Sequence, residues 1–149
     1  MKNNTNCLLV FLFVSVLAGC ATMMDRMTQP VVGIEIEKDV SLPLTVENIW
    51  YRTEKVRLLG LAYEESGTVT VSENSVEFTY EKGSIRIPRE NIQKISWGKL
   101  SPDIVNHWVI VHYTDSGKGA VAAFKGALFS GGGKESKIYS SILHIMKAR

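Results

Sequence analysis

The apolar positions of this chain recur at two different periods. From Val69 onward they alternate: Val69 and Val71, then Val76, Phe78 and Tyr80, then Ile85 and Ile87. Alternation sends successive side chains to opposite faces of a strand. Ser72-Glu73-Asn74-Ser75 and Lys82-Gly83 separate the three runs, so the pattern predicts a hairpin extended by a third strand. Pro88 closes that strand at a point where a missing N–H is tolerated. Ile92, Ile95 and Trp97 carry a further segment ended by Gly98, and Pro102-Asp103 mark a loop. His107 to Tyr113 (HWVIVHY), rich in β-branched and aromatic residues, is the strongest predicted strand. Asp115-Ser116-Gly117 turns it into Ala120–Phe124.

After a glycine-rich loop (Gly126, Gly131, Gly132, Gly133) the period lengthens. Ile138, Tyr139, Ile142, Leu143 and Met146 form one helical stripe, with Lys137, Ser141 and Lys147 off it. Glu135 near the helix start and Lys147 and Arg149 at its end suit the helix dipole. Strands followed by one amphipathic helix predict a mainly β (α+β) domain, an antiparallel sheet covered by its C-terminal helix. Residues 31–65 are less regular. Val32, Ile34 and Ile36 alternate as a short strand would, and Ser41-Leu42-Pro43 breaks the run. Val46–Thr53 fits either a helical turn or a strand, Val56–Tyr63 is strand-like, and Trp50 and Tyr51 are expected in the core.

The N-terminus follows a third pattern. Lys2 and the amino terminus precede an apolar run, Cys7–Ala18, broken only by Ser15. As a helix it would reach about 18 Å, short of the roughly 30 Å hydrocarbon core, which is the proportion of a secretory signal. The run ends in Leu17-Ala18-Gly19-Cys20, which resembles the lipobox of bacterial lipoproteins. That resemblance implies recognition of Leu17, Ala18 and Gly19 by the signal peptidase and a diacylglycerol thioether on Cys20. Cleavage would make Cys20 the first mature residue, its amine acylated by a chain such as palmitate. The competing reading is an uncleaved anchor helix over Cys7–Met24. By the lipoprotein reading residues 1–19 are signal, 20–30 a tether, and 31–149 one domain, most secure from residue 66. Two or three acyl chains make attachment effectively permanent, where a single myristoyl-sized chain binds at only about 10⁴ M⁻¹. Ala21, in place of the Asp that commonly retains Gram-negative lipoproteins in the inner membrane, implies the periplasmic face of the outer membrane if the source is Gram-negative.

A second resemblance lies in the C-terminal part. GTVTVS from Gly67, the hairpin into SVEFTY, the IPRENI segment, HWVIVHYTD, the glycine-rich loop and IYSSILHIM resemble bacterial members of the pleckstrin-homology-like (PH-like, GRAM-like) superfamily. The resemblance implies a seven-stranded, strongly bent sheet or barrel closed at one end by the helix. Phosphoinositide-binding PH domains carry Lys and Arg in the first hairpin. Here that turn is Ser72-Glu73-Asn74-Ser75, acidic and without a cation, so headgroup binding is not expected.

Composition sharpens little else. The chain has 149 residues, 45% hydrophobic and 21% charged, with a net charge of +2, ordinary for one globular domain. Loss of Lys2 with the signal leaves +1, and no basic face typical of a nucleic-acid binder is evident. Of the two cysteines, Cys7 would leave with the signal and Cys20 would be modified, so no disulfide is expected.

Candidate chemistry is sparse. Met23, Met24 and Met27 lack a nearby Cys or His that would favour Cu(I), and read as apolar tether residues. The glycine run fails as a P-loop: Leu128 stands at the first glycine position and Glu135 follows Lys134. Lys134 and Lys137 remain candidates for holding an anion at the helix start. His107, His112 and His144 form no zinc spacing, and His107 and His112 fall on opposite strand faces. No nucleophile elbow or paired carboxylates appear, so neither an enzyme nor a cofactor is expected. The function expected is a membrane-anchored periplasmic binding or scaffolding module with an envelope protein partner. The alternative is a carrier holding a lipid or small molecule between sheet and helix.

Overall fold

A computed structural model describes residues 33–54, 63–100, 105–127 and 133–148. They form one antiparallel sheet of seven strands: β1 (Leu44–Arg52), β2 (Glu65–Ser72), β3 (Ser75–Tyr80), β4 (Gly83–Pro88), β5 (Ile92–Gly98), β6 (Trp108–Asp115) and β7 (Lys118–Gly126). A single 3-10 turn, Arg89–Asn91, joins β4 to β5, and helix α1 (Lys134–Lys147) ends the domain. The strand order is β4-β3-β2-β1-β7-β6-β5. The two strands joined by the 3-10 turn are therefore opposite edges of the sheet, which bends round on itself without closing into a barrel. This is the bent, helix-capped PH-like architecture.

The predicted hairpins are present, and their turns explain their register. Ser116 (φ 49°) and Gly117 (φ 79°) both adopt positive φ between Asp115 and Lys118. A two-residue turn of that hand matches the twist of the flanking strands. In the β2–β3 turn the Ser72 hydroxyl lies 3.1 Å from that of Ser75.

The stretch Val46–Thr53, ambiguous between helical turn and strand, lies in the central strand β1 except for Thr53. Val46 pairs with Val69 but Ile49 with Gly67, so β1 carries one extra residue, a bulge. Asn48 takes the left-handed conformation there (φ 55°), which Asn tolerates better than most residues. The bulge resets the alternation, and Val46, Ile49 and Tyr51 are all buried. Opposite it, Gly67 lies inside β2, two residues past the strand's start. A Cβ at Gly67 would run into the Thr79 carbonyl oxygen, so the tight coiling of the sheet at the bulge requires a glycine.

Two layers of core follow. On the inner face Val69, Val71, Phe78, Val111 and Phe124 meet Ile138, Ile142 and Ile145 of α1, each at most 1% exposed. Tyr51 stacks on Phe78 at 4.9 Å in the same layer. Helix α1 packs on β1, β2, β5, β6 and β7, so it closes both halves of the sheet. Between it and solvent lies an extended segment, residues 33–43, that belongs to no sheet. The strand expected at Val32–Ile36 is thus absent over its described part. Its backbone is satisfied by the helix instead: the Glu37 N–H donates to Ser140 Oγ (2.8 Å), and the Ser136 hydroxyl donates to the Glu35 carbonyl.

Candidate functional site

Residues 1–32, with Leu17, Ala18, Gly19 and Cys20, lie outside the described residues, as do Val56–Ala62 of the strand-like stretch Val56–Tyr63. Among the described residues no helix is long and apolar enough to cross a membrane. The strand that completes the sheet of seven is β1. With β1 in place, the first hairpin is β1–β2 and its connection spans residues 53–64. Ser72–Ser75 is the second hairpin, so its acidity does not bear on headgroup binding as expected. The first connection carries Lys55 and Arg57 in its sequence.

The helix start, the candidate anion site, is built from three interactions. Gly133 (φ 89°) turns the chain into α1. Lys134 Nζ donates to the Glu47 carbonyl in the β1 bulge at 2.7 Å, and the Gly126 N–H donates to Glu135 Oε1 at 2.9 Å. The helix start thus ties β7 and the bulge together, with the Lys134 ammonium directed at the bulge. Lys137 is exposed.

At the other end of the helix is a half-open groove of about 330 Å³. Val40, Leu42, Ile145 and Ala148 give it apolar walls, and Glu73, Arg89 and His144 its polar ones. Arg89 reaches the Ala148 carbonyl at 3.3 Å, a cation at a helix C-terminus, where the dipole favours it. Smaller grooves of about 280 and 260 Å³ border the 33–43 segment, one between Ile36–Val40 and Leu143 and Lys147, the other between Gly33–Glu35 and Trp97 and Gly133.

The outer face of the sheet holds a cluster the sequence analysis did not anticipate. Trp108, Ile110 and Ala123 are buried there, with Trp50, Tyr63, Leu100 and Val121 against them. Trp50 and Tyr63 stack at 4.5 Å, Lys125 Nζ lies 5.6 Å from the Trp50 ring, and the Arg52 guanidinium lies 5.6 Å from the Trp108 ring. The signal was present: Trp108 to Val111 is apolar at every position, which marks a strand buried on both faces.

The histidines do not converge. His107 stacks on Trp97 at 5.6 Å, His112 pairs with Lys94 across β5–β6, and His144 is exposed at the helix end. Burial, and next the Lys94 charge, hold the His112 pKa below its ordinary value. Burial likewise raises the Tyr51 hydroxyl, with smaller effects from Tyr113, Glu64 and Tyr80. Glu77 pairs with Arg86 in the other half of the sheet, away from both strand histidines. Among the described residues no group of three or more His, Cys, Asp or Glu side chains could hold a metal ion.

No known protein family matches the chain, and no curated protein does. Solved structures match its fold. A chain of the 8S snRNP assembly intermediate superimposes with a TM-score of 0.52, over 80% of this chain and 90% of that one, at 12% identity. At that identity the likeness shows the fold alone, and the fold is the class it defines: an open, bent, helix-capped sheet of PH-like type.

Proposed function

We propose that this protein is a lipid-anchored envelope module, held by an acylated Cys20, whose domain binds a protein partner and catalyses nothing. The observation that carries the binding reading over the carrier is the filled interior. Phe78, Phe124, Ile138 and Ile142, at most 1% exposed, occupy the space between sheet and helix where a carried molecule would sit. The three grooves described above, all formed by described residues, are open and lie around the helix rather than under it. The anchoring reading rests on Leu17-Ala18-Gly19-Cys20 directly after the apolar run. Twelve residues lie between Cys20 and Gly33, so the thirteen steps from one to the other allow the domain at most about 45 Å of reach from the membrane surface. Attachment then belongs to the acyl chains, since a mature charge of +1 adds little attraction to anionic lipid.

Two measurements test this. Intact mass of the membrane-extracted protein should give a chain beginning at Cys20 with added acyl mass, and Cys20→Ala should accumulate as precursor. Normal cleavage and soluble release of that variant would remove the anchor. Solvent extraction of the purified protein should yield no stoichiometric small molecule. Recovery of one would favour the carrier, with the 330 Å³ groove at Arg89 and His144 as its place.

A further inference from the structure

The segment 33–43 lies on α1 as a ligand lies on a receptor. It runs parallel to the helix: Glu35 is at Ser136, Glu37 at Ser140, Val40 beside His144, and Leu42 beside Ile145 and Ala148. These two hydrogen bonds fall in step because the repeats match. Four helical residues rise about 6.0 Å and two extended residues about 6.6 Å, so hydroxyls at i and i+4 meet backbone groups at j and j+2. Charge is complementary as well. Glu35, Glu37 and Asp39 outnumber Lys38 on the segment, whereas Lys137 and Lys147 are exposed on the helix. The fit is nevertheless loose. Grooves of about 260 to 330 Å³ flank the segment along its length, and Ile36 keeps 54% of its surface exposed.

We infer that the outer face of α1 is a docking site for an extended segment of a partner protein, and that residues 33–43 occupy it in cis as a displaceable strap. The segment it takes is acidic, with apolar residues at alternate positions to fill the flanking grooves and backbone groups two residues apart for Ser136 and Ser140. This names the surface for the binding reading above, but its test does not depend on acylation of Cys20.

The test uses the full chain in detergent and a fluorescein-labelled peptide of the strap sequence, GIEIEKDVSLP. Glu37→Pro removes the N–H that Ser140 receives and leaves the helix unaltered. A site occupied in cis binds an outside ligand only in proportion to its open fraction, so Glu37→Pro should bind the peptide at least about tenfold more tightly than the unaltered chain. Adding Ser140→Ala should reverse most of that gain, and raised salt should weaken the binding. In the unaltered chain the Glu37 amide should exchange with solvent orders of magnitude faster than that of Val111 in the inner core. Failure of the peptide to bind a folded Glu37→Pro chain would overturn the proposal. So would collapse of that variant's fold, or Glu37 exchange only at the rate of global unfolding, since either makes the strap part of the cooperative core.

Discussion

The two halves of the sheet share an inner face and differ on the outer one. Across β6, β7 and the end of β1, the outer face buries Trp108, Ile110 and Ala123 under Trp50, Tyr63 and Leu100. Across β2, β3 and β4 it presents Thr68, Thr70, Glu77, Thr79 and Arg86, none of them buried. The first half is packed on both sides and the second on one. An antiparallel sheet needs only one buried face, so the second half is the ordinary case and the first requires a cause. The cause is the aromatic content of the strands and of the residues beside them, which cannot remain in water as a contiguous patch.

The largest test of that asymmetry is Trp108→Ala, expected to cost about 3–5 kcal/mol in denaturant unfolding because the residue is fully buried on the outer side. Thr70→Ala in the other half should change stability by no more than about 0.5 kcal/mol. Equal effects would mean that the outer cluster adds nothing. Next comes Ile142→Ala, at roughly 2–5 kcal/mol, with loss of cooperative unfolding in both halves, because α1 packs on strands of each. A smaller loss confined to one half would show that the inner core is divided as well. Gly67→Ala probes the single unforgiving position of the polar half. Its methyl meets the Thr79 carbonyl, so β2 and β3 must separate, and an overpacking cost of about 1–3 kcal/mol should appear as altered amide shifts along β3.

The smallest expected effect is on pH. His112 lies on the outer face beside Lys94, and its folded pKa is below the unfolded value of about 6.5. Between the two values the unfolded chain binds more protons, so stability is full above the unfolded pKa and falls as pH drops through that window. His112→Gln should flatten this part of the pH–stability curve. Lys94→Ala, by raising the folded pKa toward the unfolded one, should narrow the window and reduce the acid loss while its onset stays in place. An unchanged curve in both variants would show that the packed half does not govern the acid limb.

How much of this was legible depended on whether the determining contacts are local. Strands β2 to β7 and α1 stand where the period-2 and helical patterns place them, although the buried face of α1 takes Ser141 and Ile145 where the pattern put Leu143 and Met146. The Ser116-Gly117 turn stands as expected because its chemistry is contained in four residues. The helix start was read only in part. Lys134 was identified as a cation at the N-terminus, but its partner, the Glu47 carbonyl, lies 87 residues away.

What the sequence alone determined is the alternation, the closing helix, the turns and the lipobox-like run, all of which rest on neighbours a few residues apart. Three features needed the tertiary structure. The bulge at Asn48 puts Val46 and Ile49 three apart, a spacing that imitates a helix until β2 supplies the partner that shows one residue is extra. The alternation of Ile34 and Ile36 promised a strand, but the helix hydroxyls satisfied that backbone before any sheet edge could. The outer cluster exists only where the fold brings Trp50, Tyr63, Leu100 and Trp108 together from separate strands and loops. In each case a residue's local preference left two solutions open, and burial against a distant segment chose between them.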